Sequence, residues 1–255
     1  MRNKLIVLLL CWLASSSLLA ADYQGSLDWS ARAELGMLVS GVVGKVKVKA
    51  GQRVSKGDVL LQLDDRDFAY RITSTKAIYQ RAKSGFEEAE REHVRSLELY
   101  DRRLLSDHEL QMKKISLVEA QAAMERAQSA TELALLDMER SVLIAPFDGI
   151  VVTVLVEEGV AVLNQFQLRP LVVLAAQQQM HALAQVDSKT ATGIQEGTAA
   201  TVGVRGDWLM GSVLEVGREP LHVTDKDAFY PLVVTFTPGE VELRPGEKAT
   251  IRIQE

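Results

Sequence analysis

The chain has 255 residues, 47% of them hydrophobic, with one cysteine and a formal net charge of −5. This composition is typical of a folded protein with a buried core and excludes a wholly disordered chain. Because an acidic protein is a poor partner for nucleic-acid phosphates, we expect no nucleic-acid binding.

Residues 1–21 are typical of a secretory signal peptide. Two basic residues precede an apolar run over residues 5–13, and small residues follow up to Ala20 and Ala21. The run is too short to span a bilayer, which needs about 20 apolar residues, so we expect cleavage after Ala20 or Ala21. Lipidation of Cys11 is the alternative, although a leucine precedes it where a small residue is preferred. The mature chain would have no cysteine and would depend on packing for its stability.

A short motif occurs twice, with an offset of 108 positions. The first copy comprises Gly41, Val42, Val46, Val48, Gly51 and Val54, and the second comprises Gly149, Ile150, Val154, Val156, Gly159 and Val162. Apolar residues alternate with others in both copies, which predicts half-buried strands. Four glycines are assigned to structural turns of these motifs: Gly51, Gly57, Gly149 and Gly159. We expect the copies, in residues 39–65 and 142–176, to pack against each other as a small sandwich.

The segment between the copies predicts two long helices. Residues 58–148 contain only one glycine and one proline, and apolar residues recur at three-four spacing, which is the pattern of a coiled-coil seam. The first seam is Ile72, Thr75, Tyr79, Ala82, Phe86, Ala89, His93, Leu97, Tyr100 and Leu104; the second is Leu110, Lys113, Leu117, Ala120, Met124, Ala127, Thr131, Ala134 and Met138. The break is predicted near Leu105 to Asp107, with Ser106 or Asp107 capping the second helix. Residues 66–141 are thus predicted to form an antiparallel hairpin whose first helix, from about Asp67 to Arg103, is roughly 55 Å long.

Residues 177–255 contain short alternating segments separated mostly by glycine or proline, which is typical of a small antiparallel barrel. Residues 22–38 are predicted to supply its first strand. The predicted fold class is therefore α+β: an elongated helical hairpin inserted into a split β-sandwich, followed by a β-barrel.

This order of elements resembles the membrane fusion proteins, also called periplasmic adaptors or the hemolysin D family. Residues 51–60, GQRVSKGDVL, look like the first half of the lipoyl-like domain of that family, and residues 144–149, IAPFDG, look like the start of the second half. Residues 243–246, LRPG, resemble the closing strand of the family's barrel. The resemblance spans nearly all of the mature chain.

The resemblance implies a non-enzymatic periplasmic subunit, held at the inner membrane by its transporter, that bridges this transporter to a TolC-type outer-membrane channel. Adaptors of resistance-nodulation-division pumps carry Arg, Leu and Ser at the hairpin tip, where they contact the channel. Arg95, Leu99 and Ser106 have the same spacing of four and seven, and we place Glu109 in the same site. The alternative is that Arg95 is a solvated charge and Ser106 only a helix cap. The family also implies self-association into a ring.

Other functions remain open at this point. An adaptor of an ATP-driven (ABC) exporter or type I secretion system shares this architecture, although many keep an N-terminal membrane helix. A lipoyl or biotinyl carrier needs a lysine between the two halves, where this chain has Leu63-Asp64-Asp65-Arg66. A purely structural coiled-coil spacer would have no transport partner. The larger adaptors also have a membrane-proximal domain that is not evident here, so a second adaptor could supply the missing contacts.

The sequence offers no motif for a catalytic residue, cofactor or metal ion. Its histidines are scattered and have no zinc-like spacing: His93, His108, His181 and His222.

Overall fold

The computed structural model describes residues 22–163, 169–224, 226–239 and 241–253. The predicted signal peptide, its cleavage site and Cys11 lie outside these residues. The described residues form three helices: α1 (Arg66–Asp101), α2 (Asp107–Glu139) and α3 (Ser188–Gly193). Within these ranges, none of the helices combines the length and apolar character that a membrane span requires.

The strands come in three groups along the chain. Before the helices lie β1 (Asp22–Trp29), β2 (Arg32–Leu35), β3 (Gly41–Val46), β4 (Arg53–Val54) and β5 (Val59–Leu63). After the helices lie β6 (Val142–Ile144), β7 (Gly149–Val154), β8 (Ala161–Val162) and β9 (Val172–Ala176). The C-terminal group is β10 (Met180–Asp187), β11 (Ala199–Val204), β12 (Asp207–Val216), β13 (His222–Val223), β14 (Ala228–Phe236) and β15 (Lys248–Ile253).

The chain divides into two compact units. One contains the described residues of 22–33, 148–150 and 175–253; the other contains the described residues of 34–147 and 151–174. In the first unit, six antiparallel strands form a closed barrel in the order β10-β1-β15-β11-β12-β14, because β14 pairs again with β10. Leu232 and Ile251 are fully buried in its core.

The second unit contains the two copies of the repeated motif. Its strands lie in two four-stranded sheets with the orders β2-β9-β7-β4 and β6-β5-β3-β8. Both sheets contribute to one core, which includes Leu61 and Val43 from one sheet and Val151 and Leu174 from the other, all at most 1% exposed. The copies therefore interleave, because each sheet contains strands from both copies. The expectation that one copy packs against the other is corrected accordingly.

The 108-residue offset reappears in the hydrogen bonds between the copies. The Gly51 N–H donates to the Val151 carbonyl at 2.8 Å, and the Gly159 N–H donates to the Val43 carbonyl, also at 2.8 Å. The two bonds are equivalent under the offset, because Gly159 lies 108 positions after Gly51 and Val151 lies 108 positions after Val43. A second pair of bonds obeys the same offset: Val151 to Gln52 and Val43 to Val160, each 2.9 Å. The two copies thus hold each other through reciprocal, equivalent contacts.

Three of the four turn glycines have backbone angles that disfavour a side chain. Gly51, Gly57 and Gly159 have φ values of 82°, 92° and 83°, in the region that L residues adopt only at a cost. Gly149 is different, because it is the buried first residue of β7 and does not lie in a turn. The bend is formed by the three residues before Gly149. The prediction that Gly149 is a turn residue is therefore corrected.

The predicted first barrel strand, 22–38, is two strands in the structure. β1 pairs with β10 and β15 in the barrel, whereas β2 joins the sheet of β9 in the sandwich. The break between them falls at Ser30 and Ala31.

The helices α1 and α2 pack along a seam that agrees with the predicted one over most of its length. Each seam position predicted on the first helix from Ile72 to His93 is half-buried, and Ala127, Thr131 and Ala134 of α2 are buried. The register departs from the prediction in two places. Near the tip of α1 the seam runs through Ser96, which is 5% exposed, and half-buried Leu99. The predicted seam residues Leu97 (42% exposed), Tyr100 (38% exposed) and Leu104 (70% exposed) therefore lie outside it. On α2, the predicted seam residue Lys113 is likewise exposed.

Candidate functional site

The tip of the hairpin is a tight turn formed by residues 102–106. The Leu104 N–H donates to the Leu99 carbonyl at 2.9 Å, and the Arg103 N–H donates to the Tyr100 carbonyl at 2.8 Å. These two bonds form a Schellman motif, which satisfies carbonyls at the end of α1. Arg103 occupies its left-handed position with φ 61°, where glycine is the usual residue.

A capping box starts α2 on the other side of the turn. The Ser106 hydroxyl oxygen accepts the Glu109 N–H at 3.3 Å, and a Glu109 carboxylate oxygen accepts the Ser106 N–H at 2.9 Å. The Ser106 hydroxyl also donates to this carboxylate at 2.7 Å. These bonds to Ser106 lower the pKa of Glu109. Both side chains therefore satisfy each other and fix where the second helix begins.

Arg95 belongs to a small charged network below the turn. A guanidinium nitrogen of Arg95 lies 2.5 Å from a Glu92 carboxylate oxygen, and the other oxygen accepts from Lys113 of α2 at 3.4 Å. The Arg95 side chain is nevertheless 63% exposed. It precedes Asp101, the last residue of α1, by six positions, which corresponds to about 9 Å of helix. The network joins the two helices and leaves the guanidinium accessible from solvent.

A further contact links the helix ends directly. The Tyr100 hydroxyl donates a hydrogen bond to the Asp107 carboxylate, and this interaction raises the pKa of Tyr100. Asp107 is the first residue of α2, where a negative charge is also favoured by the helix dipole. The sequence interpretation gave Tyr100 a place in the seam and Asp107 only a capping role, so this bond was missed.

The four predicted tip residues lie within about two helical turns of residues 102–106. Ser106 and Glu109 contact each other, whereas Arg95 pairs with Glu92 and Leu99 is half-buried in the seam. Their contact with a channel stays a prediction. Sequence reasoning gave no role to Arg102 and Arg103, since nothing in a run of two arginines indicates which one adopts a left-handed conformation.

A concave surface lies at the base of the hairpin. It is a cleft of about 690 Å³ whose walls include Asp64, Arg66, Tyr70, Arg71 and Asp137. Hydrogen bonds from Arg66 lower the pKa of Asp64 to about 2, and Arg71 bridges to Asp137 on the opposite helix at 3.2 Å. Two carboxylates of this cleft, Asp64 and Asp137, are therefore paired with arginines of its own walls. In the described ranges, His, Cys, Asp and Glu form no cluster of three or more that could hold a metal ion.

Comparisons with known proteins agree with this architecture. The model of the CzcB-like barrel-sandwich hybrid domain matches residues 32–169, which include the sandwich strands β2–β8 and the whole hairpin. A search of curated protein sequences finds no significant match.

Several solved structures share the fold. A membrane fusion protein of Streptococcus pneumoniae R6 is 13% identical with a TM-score of 0.75, over 92% of this chain and 99% of that chain. MacA from Actinobacillus actinomycetemcomitans is 21% identical with a TM-score of 0.67, over 92% of this chain and 78% of that chain. ZneB from Cupriavidus metallidurans is 18% identical with a TM-score of 0.55, over 91% of this chain and 97% of that chain. At these identities the likeness shows the fold.

The family model covers more than half of the chain and spans the interleaved sandwich together with the hairpin inserted in it. The chain therefore belongs to the CzcB-like barrel-sandwich hybrid family, and with it to the membrane fusion proteins, or periplasmic adaptors, that its sequence resembles.

Proposed function

We propose that this chain is the periplasmic adaptor subunit of a tripartite efflux pump and bridges an inner-membrane transporter to a TolC-type outer-membrane channel. The observation that carries the proposal is the hairpin. Its 36-residue first helix is about 54 Å long, and it rises from a sandwich whose two copies hold each other through equivalent hydrogen bonds. A long helix pair on a firmly closed base is suited to reach a distant partner.

The proposed roles of the parts follow from their exposure. Along the hairpin shaft, large apolar side chains remain exposed on both helices, including Ile78 at 57% and Val118 at 58%. In a monomer these side chains have no packing role, and lateral contacts between copies would bury them. We therefore assign ring formation to the shaft. Contact with the transporter is assigned to the β-barrel from the family resemblance. A second adaptor in the same ring is compatible with these assignments.

The tip residues have separate roles in this proposal. Arg95 contacts the channel directly, because its guanidinium is exposed although one of its nitrogens pairs with Glu92. Leu99 acts partly through the seam in which it is half-buried. Ser106 and Glu109 set the start of α2 through the capping box and thereby fix the shape of the surface that the channel meets.

The transporter class is proposed from the N-terminal sequence. The predicted cleavable signal peptide favours a proton-driven resistance-nodulation-division pump over an ABC exporter. The chain is assigned no enzymatic step and no cofactor. The carrier alternative needs a lysine between the two halves, and here Asp64, Asp65 and Arg66 lead from β5 directly into α1.

Site-specific photo-crosslinking in the native host tests the proposal. A photoreactive residue at exposed His108, in the first turn of α2, is compared with one at exposed Ile78, on the shaft. The two positions lie on the same hairpin, and Ile78 is 23 residues from the end of α1, or about 35 Å. We expect His108 to crosslink to the outer-membrane channel and Ile78 to crosslink to another copy of the chain. Absence of the channel from the His108 products would refute channel docking, and copurification of an ABC exporter with the chain would select the alternative transporter.

A further inference from the structure

Arg103 has an unusual place at the apex of the hairpin. It occupies the left-handed position of the Schellman motif with φ 61°, a conformation that costs an L residue free energy and costs glycine almost none. The two backbone bonds of this turn, at 2.8 and 2.9 Å, need only backbone groups and would form equally well with glycine. Folding therefore gives no reason for a side chain at this position.

The charges around the apex leave the arginines of the turn without partners. The Asp107 carboxylate accepts from Tyr100, and Glu109 is held in the capping box by Ser106. Among the described residues, neither Arg102 nor Arg103 has a hydrogen-bond or ion-pair partner for its guanidinium. Asp101, the neighbouring carboxylate, belongs to the last turn of α1. The apex thus presents two unpaired cations that no acid of the turn neutralises.

An apolar side chain stands beside these cations. Leu104 is 70% exposed, the most exposed leucine of the described hairpin, although its N–H is fixed by the bond to the Leu99 carbonyl. In a Schellman motif this position often packs onto the preceding helix, and here most of the side chain remains in solvent. A fixed backbone therefore carries an exposed leucine next to an unpaired arginine.

We propose that Arg103 and Leu104 form the apex contact of the docking site. In this contact, Arg103 binds carboxylates at the end of the outer-membrane channel, and Leu104 enters an adjacent apolar cleft of the channel. This inference rests on the proposed function and adds residues outside the Arg95, Leu99, Ser106 and Glu109 set. Guanidinium groups bind carboxylates with charge-assisted, bidentate geometry, and arginine beside an apolar anchor is typical of interface hot spots. The cost of the left-handed backbone is then offset in the complex.

A purely structural role for Arg103 makes the opposite prediction for stability. A cation at the end of α1 interacts favourably with the helix dipole, and this accounts for a basic residue near the turn. Arg102, the C-cap residue of α1, already supplies that interaction without a left-handed backbone. Replacing Arg103 by glycine should therefore relieve strain if the residue serves docking, and should destabilise the hairpin if it serves as a cap.

The test measures binding and stability on the same mature, full-length variants. The host's TolC-type channel, purified in detergent, is immobilised, and the dissociation constants of wild type, Arg103→Gly, Arg103→Lys and Leu104→Ser are measured by biolayer interferometry. Arg81→Ala is the matched control, because it removes an exposed arginine of α1 about 30 Å of helix away from the tip. Thermal unfolding is followed by circular dichroism for each variant.

We expect Arg103→Gly to bind at least about ten-fold more weakly, as for the loss of a charge-assisted contact, with an equal or higher Tm. Arg103→Lys should fall between Arg103→Gly and wild type, Leu104→Ser should also weaken binding, and Arg81→Ala should bind like wild type. Unchanged binding of Arg103→Gly, a lowered Tm for that variant, or equal weakening by Arg81→Ala would overturn the apex assignment. If His108 still crosslinks to the channel, such a result leaves the proposed function standing. If wild type neither binds nor crosslinks, both fail.

Discussion

The reciprocal bonds between the two copies of the motif predict that a cavity in either copy weakens both. Val43 in the first copy and Val151 in the second are equivalent under the 108-residue offset, and they are 1% and 0% exposed in one core. Changing valine to alanine removes the equivalent of two methylene groups, about 1.6 kcal/mol of transfer free energy, and the residual cavity raises the cost to about 2–3 kcal/mol. Val43→Ala and Val151→Ala should therefore lower the free energy of unfolding by similar amounts.

Urea unfolding followed by circular dichroism measures these costs, and hydrogen exchange with mass spectrometry locates them. In Val151→Ala, amides of β3 and β5 in the first copy should lose as much protection as those of β7, because one core serves both copies. Val118→Ala, a substitution of a 58% exposed valine on α2, is the matched control and should change stability by less than about 0.5 kcal/mol. Loss of protection confined to the mutated copy would refute the view that the copies are one module.

Three further predictions concern the hairpin and its base. Ser106→Ala should lower the free energy of unfolding of the hairpin by about 1 kcal/mol, since it removes the N-cap of α2; urea unfolding measures this, and an unchanged midpoint would contradict the capping box. Asp64, whose pKa is lowered to about 2 by Arg66, should stabilise the fold fully above its unfolded pKa of about 3.9 and lose this contribution as pH falls towards 2. The Tm difference between wild type and Asp64→Asn should accordingly be constant near neutral pH and shrink below about pH 4, and a pH-independent difference would refute the pairing. Arg95→Asp should abolish the crosslink from the tip to the channel while changing stability by less than about 1 kcal/mol, because the exposed pair with Glu92 contributes little; a retained crosslink would remove Arg95 from the docking site.

The sequence was sufficient for the sandwich because its repeat is a chemical pattern with a fixed offset. Valines and glycines recur 108 positions apart, and the structure uses the same offset in its hydrogen bonds, for example Gly51 to Val151 and Gly159 to Val43. Alternation does not reveal which strand pairs with which, because pairing depends on contacts far apart in the chain. The alternation of apolar residues therefore could not predict that the two copies interleave.

The seam of the hairpin shows where periodicity misleads. It was predicted to step from His93 to Leu97 and Tyr100, because larger apolar side chains are the usual choice for a seam. The helices instead meet at Ser96, whose hydroxyl donates to the Glu92 carbonyl at 2.7 Å and so needs no partner on α2. A small, internally satisfied side chain can occupy a seam position that a hydrophobic pattern assigns to its neighbour.

The tip shows a different limit. Ser106 followed three positions later by Glu109 is a local signature, and both side chains of the capping box are where the signature places them. Arg103 carries no such signal, because a left-handed backbone is ordinarily marked by glycine or asparagine. The resemblance assigned Arg95, Leu99, Ser106 and Glu109 to docking, whereas the geometry of the turn exposes Arg103 and Leu104. Only this second pair could not be identified without the structure.

Electron cryo-microscopy of the assembly isolated from the native membrane through an affinity tag on this chain shows directly whether the chain bridges a transporter and a channel. We expect one particle in which the hairpin tips of several copies contact an outer-membrane channel and the barrels contact an inner-membrane transporter. Particles in which the tips end free in solvent, or in which the hairpins contact only other copies of the chain, would contradict it.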